Sequence, residues 1–180
     1  MSCLTDPFFW ALLALLGIHG ANLVVSDHPL GRSLPFVALA LTLVTLGRLL
    51  LCLPFCPQPR FDLGAWNWIA GGGVLLLALV IALPTLSILW WRAPEAGMRL
   101  RTRGAYSIVR HPMYAAELLW PVGWSLCWGS VWGLALTPLW WSAFLVHVLA
   151  EEASLLRELG PEYEQYMARV KGRMLPGLPF

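Results

Sequence analysis

Charge is scarce in this sequence. Only 12% of its 180 residues are Asp, Glu, Lys or Arg, whereas a soluble domain carries about 25%. Hydrophobic residues make up 58%, and the mean hydropathy is +0.67. So little charge excludes an ordinary soluble core, and no nucleic-acid partner is expected. The chain reads as an integral membrane protein. The opening MSCLTDPFFW has no Lys or Arg, so a cleaved signal peptide, which needs a basic start, is not expected. Internal repeats and low-complexity tracts are missing too. The four cysteines, Cys3, Cys52, Cys56 and Cys127, lack the paired spacing of a zinc site. They read as small apolar filler, and no metal is expected. Gly71-Gly72-Gly73 has no lysine after it, which excludes a phosphate-binding loop and leaves close helix packing.

What is there is a series of apolar runs. They cover roughly residues 7–25, 34–53 and 65–91, and then 114–149, which is uncharged apart from Glu117. At 1.5 Å per residue, each of the first three runs can cross about 30 Å of hydrocarbon. Pro84 is placed to kink the third. Gly129-Ser130 divides the last run into a tight hairpin of two spans. The expected fold is all-α: one membrane bundle of about five transmembrane helices. Alternating these spans puts Arg48 and Arg60 on one side. Arg32, Arg92, Arg99, Arg101, Arg103, Arg110, Arg157, Arg169, Lys171 and Arg173 fall on the other, a split of 2 against 10. The positive-inside rule then places the Arg-rich loop and the C-terminus in the cytosol and the N-terminus outside. Eleven tryptophans suit interfacial belts but define no oligomer face.

Residues 150–180 change character. Leu155, Leu159, Tyr163, Tyr166 and Val170 recur on one helical face, and Glu158, Glu162, Gln165 and Arg169 lie opposite. This predicts a cytosolic amphipathic helix, lying on the membrane or folded back over the bundle. Gly160-Pro161 should break and restart it.

Two segments can carry chemistry. In RTRGAYSIVRHPMYAAELL, Gly104 offers a turn and Pro112 can open the fourth helix. His111, Tyr114 and Glu117 would then gather near a helix N-terminus, where free N–H groups favour an anion. Local physics equally allows a snorkelling Arg110, a boundary His111 and an interfacial Tyr114. Glu151 and Glu152 follow the fifth span, with His147 one turn before Glu151 and able to touch it. That acid pair suits ribose hydroxyls or a cationic group, or is simply solvated.

GAYSIVRHPMYAAELL, a hairpin of about 35 residues, and EEASLLRELGPEYEQYMARVKGRMLP together resemble the isoprenylcysteine carboxyl methyltransferase-like family. The phospholipid N-methyltransferases are similar over the same region. The resemblance spans roughly residues 100–176 and departs at Ala105, where Pro is usual, and at Ala116, where Gly is frequent. It implies an integral membrane methyltransferase using S-adenosyl-L-methionine. By that match Arg110, His111, Pro112 and Tyr114 form a cytosolic cofactor pocket, and Glu151 and Glu152 form its other wall. Tyr163, Tyr166 and Arg173 complete a C-terminal lid, with Glu152 and Arg173 as the catalytic candidates. Residues 96–180 would be the cofactor-binding core and residues 1–95 the acceptor-shaping region.

Methyl transfer from a sulfonium needs an in-line approach and a dry site more than acid–base chemistry. Acids and aromatic faces hold the sulfonium, and Arg110 or Arg173 suits the cofactor's carboxylate. The acceptor would be lipophilic or small, a carboxylate, amine or thiol, entering from the membrane lipid. His19, Asn22 and Arg48 are the few polar residues of the first two spans and can line a cavity or pack. Glu117 also resembles a pattern of membrane reductases, so an NADPH-binding protein on this scaffold stays open, as does a non-enzymatic membrane subunit.

Overall fold

The computed structural model describes residues 3–25, 34–90 and 100–178. Arg32, Arg92 and Arg99 of the charge count lie outside them. The described residues build seven helices: α1 (Pro7–Val25), α2 (Leu34–Leu51), α3 (Ala65–Trp90), α4 (Pro112–Cys127), α5 (Val131–Ala135), α6 (Thr137–Leu159) and α7 (Pro161–Arg169). No strand occurs among them, only an isolated bridge between Arg60 and Ser130. The chain is thus all-helical. Two stretches, Ala65–Thr85 and Val131–Leu159, are long and apolar enough to cross a membrane; Pro7–Leu23 and Pro35–Leu51 are shorter apolar helices.

Helices that are apolar all round need small residues to approach closely. In α1 and α2 these are Gly17 and Gly47. A Cβ on Gly17 would lie 2.5 Å from the Val44 nitrogen, and one on Gly47 2.7 Å from that of Ala14. In the α3–α4 pair, a Cβ on Gly71 would collide with the Cys127 thiol and the Gly123 carbonyl, and one on Gly123 would lie 2.9 Å from Leu75. Asn67 donates to the Leu126 carbonyl at 3.0 Å, while Thr85 meets Met113 at the other end. The two helices therefore run antiparallel along their whole overlap. Gly72 and Gly73 have open space around them, so the packing role of the triplet belongs to Gly71. Gly71→Val is expected to force α3 from α4, costing about 1–3 kcal/mol. A fall in the thermal unfolding midpoint in detergent would show this, and Gly73→Val serves as the neutral control.

The bundle has two distinct ends. At one, Arg60 donates to the carbonyls of Cys52, Leu53 and Trp128 at 2.6–2.8 Å, closing the α2–α3 loop onto the α4–α5 turn. Gly129 makes that turn at φ 58°, and Ser130 caps α5 by accepting from the Gly133 N–H at 3.0 Å. Cys52, Cys56 and Cys127 are buried free thiols. The other end gathers the last turns of α1, the start of α4, the end of α6, α7 and the chain after it. There α6 runs unbroken through Glu151 and Glu152 to Leu159, so the acid pair lies within the helix rather than beyond it. Gly160, at φ 51°, then turns the chain into Pro161 and α7.

Candidate functional site

Local sequence sets up the site. Gly104, at φ 65°, starts a short 3-10 turn over Gly104–Ser107 that leads into the motif. Pro112 lacks an N–H and occupies the first position of α4, where none is needed, with His111 before it at φ −124° and ψ 65°. This leaves the backbone N–H groups of Arg110 and His111 pointing outward. They donate to the carbonyls of Gly172 (2.9 Å) and Arg173 (2.8 Å). The tail thus docks on the motif by main-chain bonds that no side-chain pattern announces.

Side chains lock this junction. Arg110 donates from Nε to Glu152 Oε1 at 2.7 Å and from Nη1 to the carbonyls of Val170 (2.6 Å) and Lys171 (2.9 Å). Arg173 donates from Nε to Glu152 Oε2 at 2.8 Å. Both oxygens of Glu152 are therefore taken by arginines, and its side chain is only 5% exposed. Tyr166 donates to the Tyr106 carbonyl at 2.7 Å. Tyr163, Tyr166 and Val170 form a small buried core with Leu155, Leu159 and Leu100. The apolar face of the tail packs on protein, and both tyrosines are enclosed.

His111 lies between the two acids. Its Nδ1 is 3.5 Å from Glu151 Oε2 and its Nε2 is 3.3 Å from Glu152 Oε1. These are ionic contacts rather than aligned hydrogen bonds, and His111 Nε2, Glu151 Oε2 and the Tyr163 hydroxyl are buried without a hydrogen-bond partner. Burial alone would favour neutral imidazole. The contacts with Glu151 and Glu152 outweigh it and raise the His111 pKa above its ordinary value. Burial also pushes Tyr166 up to about 12, and raises Tyr163, which feels the charges of Glu152 and Arg110. Both phenols remain hydrogen-bond donors at neutral pH.

Tyr114 lines the same region, its ring 5.8 Å from that of His111 and edge-on at 5.3 Å from that of His147. Three expectations change here. Glu117 does not join His111 and Tyr114. It turns to Arg48, whose Nη2 donates to Glu117 Oε2 at 2.6 Å, because a buried guanidinium needs an anion more than the helix start does. Arg48 is consequently a buried, paired charge with 1% of its side chain exposed, not a boundary cation. His147 makes its hydrogen bond to Asn22 of α1 at 2.7 Å rather than to Glu151, since α1 packs directly against α6. The sequence held one usable clue to the first pair: single charges of opposite sign inside separate apolar runs.

The structure thus brings Arg110, His111, Pro112, Tyr114, Glu151, Glu152, Tyr163, Tyr166 and Arg173 to one end of the bundle. The sequence profile of a family described as phospholipid methyltransferase matches residues 68–162, just over half of the chain. A probable protein-S-isoprenylcysteine O-methyltransferase of Oryza sativa subsp. indica is 37% identical over 84 residues, which is 46% of this chain and 41% of that protein. Protein-S-isoprenylcysteine O-methyltransferase B of Arabidopsis thaliana is 34% identical over 88 residues, 48% of this chain and 42% of that protein. The protein-S-isoprenylcysteine O-methyltransferase of Schizosaccharomyces pombe is 36% identical over 72 residues, 39% of this chain and 30% of that protein. The matches span less than half the length of each of these relatives. No solved structure matches significantly.

Proposed function

The chain belongs to the phospholipid methyltransferase family, and from that premise we propose that it is an integral membrane methyltransferase with S-adenosyl-L-methionine as methyl donor. Its acceptor is lipophilic or small. The observation that carries the site assignment is that three buried polar atoms from three segments, His111 Nε2, Glu151 Oε2 and the Tyr163 hydroxyl, lack a hydrogen bond, His111 keeping only ionic contacts with the two acids. A buried polar group left unpaired costs about 1–3 kcal/mol, so such groups mark a place where a polar ligand belongs.

The residue types fit the donor. Its carboxylate suits Arg110, Arg173 or the protonated His111; its ammonium and ribose hydroxyls suit Glu151; and the rings of Tyr114 and Tyr163 suit adenine or the sulfonium. When bound, the cofactor supplies an electrophilic methyl group on a cationic sulfur. The protein's part is positioning. Glu152, held by Arg110 and Arg173, fastens the tail over the motif, and His111, Glu151 and Tyr163 present polar atoms to the ligand. The apolar walls, Tyr114 and Phe144 among them, exclude water from the transfer. In this reading Glu152 is a positioning residue, Arg173 keeps a place near the reacting groups, and Glu151 is the acid that meets ligand.

The antiparallel order of α1, α2, α3, α4 and α6 supports five membrane passes, with the site end and α7 in the cytosol and the N-terminus outside. Residues 96–180 serve as the cofactor core and residues 1–95 shape the acceptor side. Calorimetric titration with S-adenosylhomocysteine in detergent tests the reading. Saturable binding is expected, weakened about tenfold by Tyr163→Phe, the size of one lost hydrogen bond. No binding, with NADPH binding in its place, would overturn it.

A further inference from the structure

His147 is a second imidazole at the site end, separate from the groups that suit the cofactor. It lies on α6 one turn before Glu151, about 6 Å from it along the helix axis, and only 7% of its surface is exposed. Its Nδ1 meets Asn22 Oδ1 of α1 at 2.7 Å. A carboxamide oxygen only accepts, so Nδ1 carries the proton, and in the neutral ring Nε2 keeps its lone pair. The two ring nitrogens point nearly opposite ways, so tying Nδ1 to α1 turns Nε2 away from that helix. Nε2 has no hydrogen-bond partner among the described residues.

The neighbours put this lone pair beside the site. The Tyr114 ring of α4 lies 5.8 Å from His111, 5.3 Å from His147 and 6.1 Å from Phe144. Along α6, Phe144 and His147 come before the two acids, further into the bundle, with Phe144 and Val148 in its apolar core. The other bases here are committed. Both oxygens of Glu152 accept from arginines, and Glu151 faces His111 at 3.5 Å. A purely structural link between α1 and α6 has no use for an open second nitrogen, whose burial without a partner is costly.

We propose that His147, oriented by Asn22, is the proton acceptor for methyl transfer, taking at Nε2 the proton released by the acceptor atom. This rests on the methyltransferase reading and deepens it. The acceptor's lone pair forms the bond to the methyl carbon. The carbon–sulfur bond breaks, and its electron pair stays on sulfur, which becomes a neutral thioether. The proton that the acceptor atom carried passes to Nε2, and the imidazolium returns it to water as product leaves. Such an acceptor is an amine or a thiol, since a carboxylate has no proton to give. His147 is thus a catalytic residue that touches the acceptor, and Asn22 is a positioning residue that fixes its tautomer.

The tautomer is read on the wild-type full chain in detergent, from the nitrogen NMR shifts of labelled histidine, with His147→Gln supplying the assignment. A neutral ring with its proton on Nδ1 is expected at neutral pH. A neutral ring protonated on Nε2 would overturn the proposal, and this decides even if no variant folds. His147→Gln keeps a hydrogen-bonding group for Asn22 but offers no basic nitrogen. By calorimetry it should bind S-adenosylhomocysteine as tightly as the wild type. Its transfer of label from methyl-labelled S-adenosyl-L-methionine to a membrane lipid extract should fall about a hundredfold or more, the contribution of a positioned base. Asn22→Leu, which keeps the base but frees the ring, should lose less rate and show a mixture of tautomers. Mass spectrometry of the product separates N-methyl from S-methyl, and either fits. Undiminished transfer by His147→Gln would overturn the proposal, as would a product made only of methyl ester. Failure of the wild type to bind S-adenosylhomocysteine would instead count against the methyltransferase reading.

Discussion

Glu152→Ala is expected to lower thermal stability more than any other single change at the site end of the bundle. Glu152 accepts from Arg110 at 2.7 Å and from Arg173 at 2.8 Å, and the Arg110 side chain is 5% exposed. Removing the carboxylate leaves a buried guanidinium without its anion. Breaking such a pair from one side typically costs about 3–5 kcal/mol. Arg173 is 23% exposed and can turn to water, so most of the loss comes through Arg110. The effect should be localised. Val170, Lys171, Gly172 and Arg173 are held on the motif by bonds to Arg110 and His111, so their amides should exchange hydrogen faster in the variant. Glu152→Gln, which keeps the shape and one acceptor oxygen, should fall between wild type and alanine. A thermal scan in detergent with hydrogen exchange over residues 170–178 measures both effects. Unchanged exchange in the tail with a full loss of stability would show that Glu152 does not fasten it.

His111→Ala should abolish a pH dependence as well as weaken the site. In the folded protein the His111 pKa lies above 6.5, because its contacts with Glu151 and Glu152 outweigh its burial. A raised folded value means the imidazolium stabilises the fold fully below the unfolded value. That contribution disappears as pH rises through the folded value. Stability and S-adenosylhomocysteine affinity should therefore decline on the alkaline side of pH 6.5, with the deprotonated site keeping two carboxylates and one cation fewer. His111→Ala should flatten both profiles and weaken binding about tenfold or more, since a charge-assisted contact is worth about 1.5–3 kcal/mol. Titration of the His111 ring by NMR and calorimetry across the pH range would supply the comparison. A variant that retains the alkaline slope would assign it to another group.

Much of the helical plan was legible because it depends on local chemistry. The apolar runs bounded α1, α2 and α3 closely, Pro112 marked the start of α4, and Gly160-Pro161 marked the break before α7. Gly129-Ser130 marks the turn after α4 for the same reason: the positive φ of Gly129 is a local requirement. Which residues would meet was less legible. Arg48 and Glu117 lie 69 positions apart, and neither run alone shows that α2 and α4 bring them face to face. The difference between Glu151 and Glu152 was equally hidden. Adjacent residues on a helix point about 100° apart, so one is sealed between two arginines while the other keeps a buried oxygen without a hydrogen bond. The tail's docking on Arg110 and His111 runs through backbone groups, which carry no residue signature. The Asn22–His147 bond likewise depends on how α1 lies against α6. His111, Tyr114 and the Glu151–Glu152 pair stand out by local chemistry and spacing, whereas their joining into one pocket with Tyr163, Tyr166 and Arg173 comes only from resemblance to a family.

Transfer of a methyl group from S-adenosyl-L-methionine to a membrane-borne acceptor, as proposed, must leave a labelled lipid product. Its most direct test is mass spectrometry of a membrane lipid extract incubated with the full chain and methyl-labelled cofactor. A labelled lipophilic product is expected from the wild type and not from His111→Ala, together with release of S-adenosylhomocysteine. A cofactor that stays intact in the presence of every extract, with NADPH consumed instead, would contradict it.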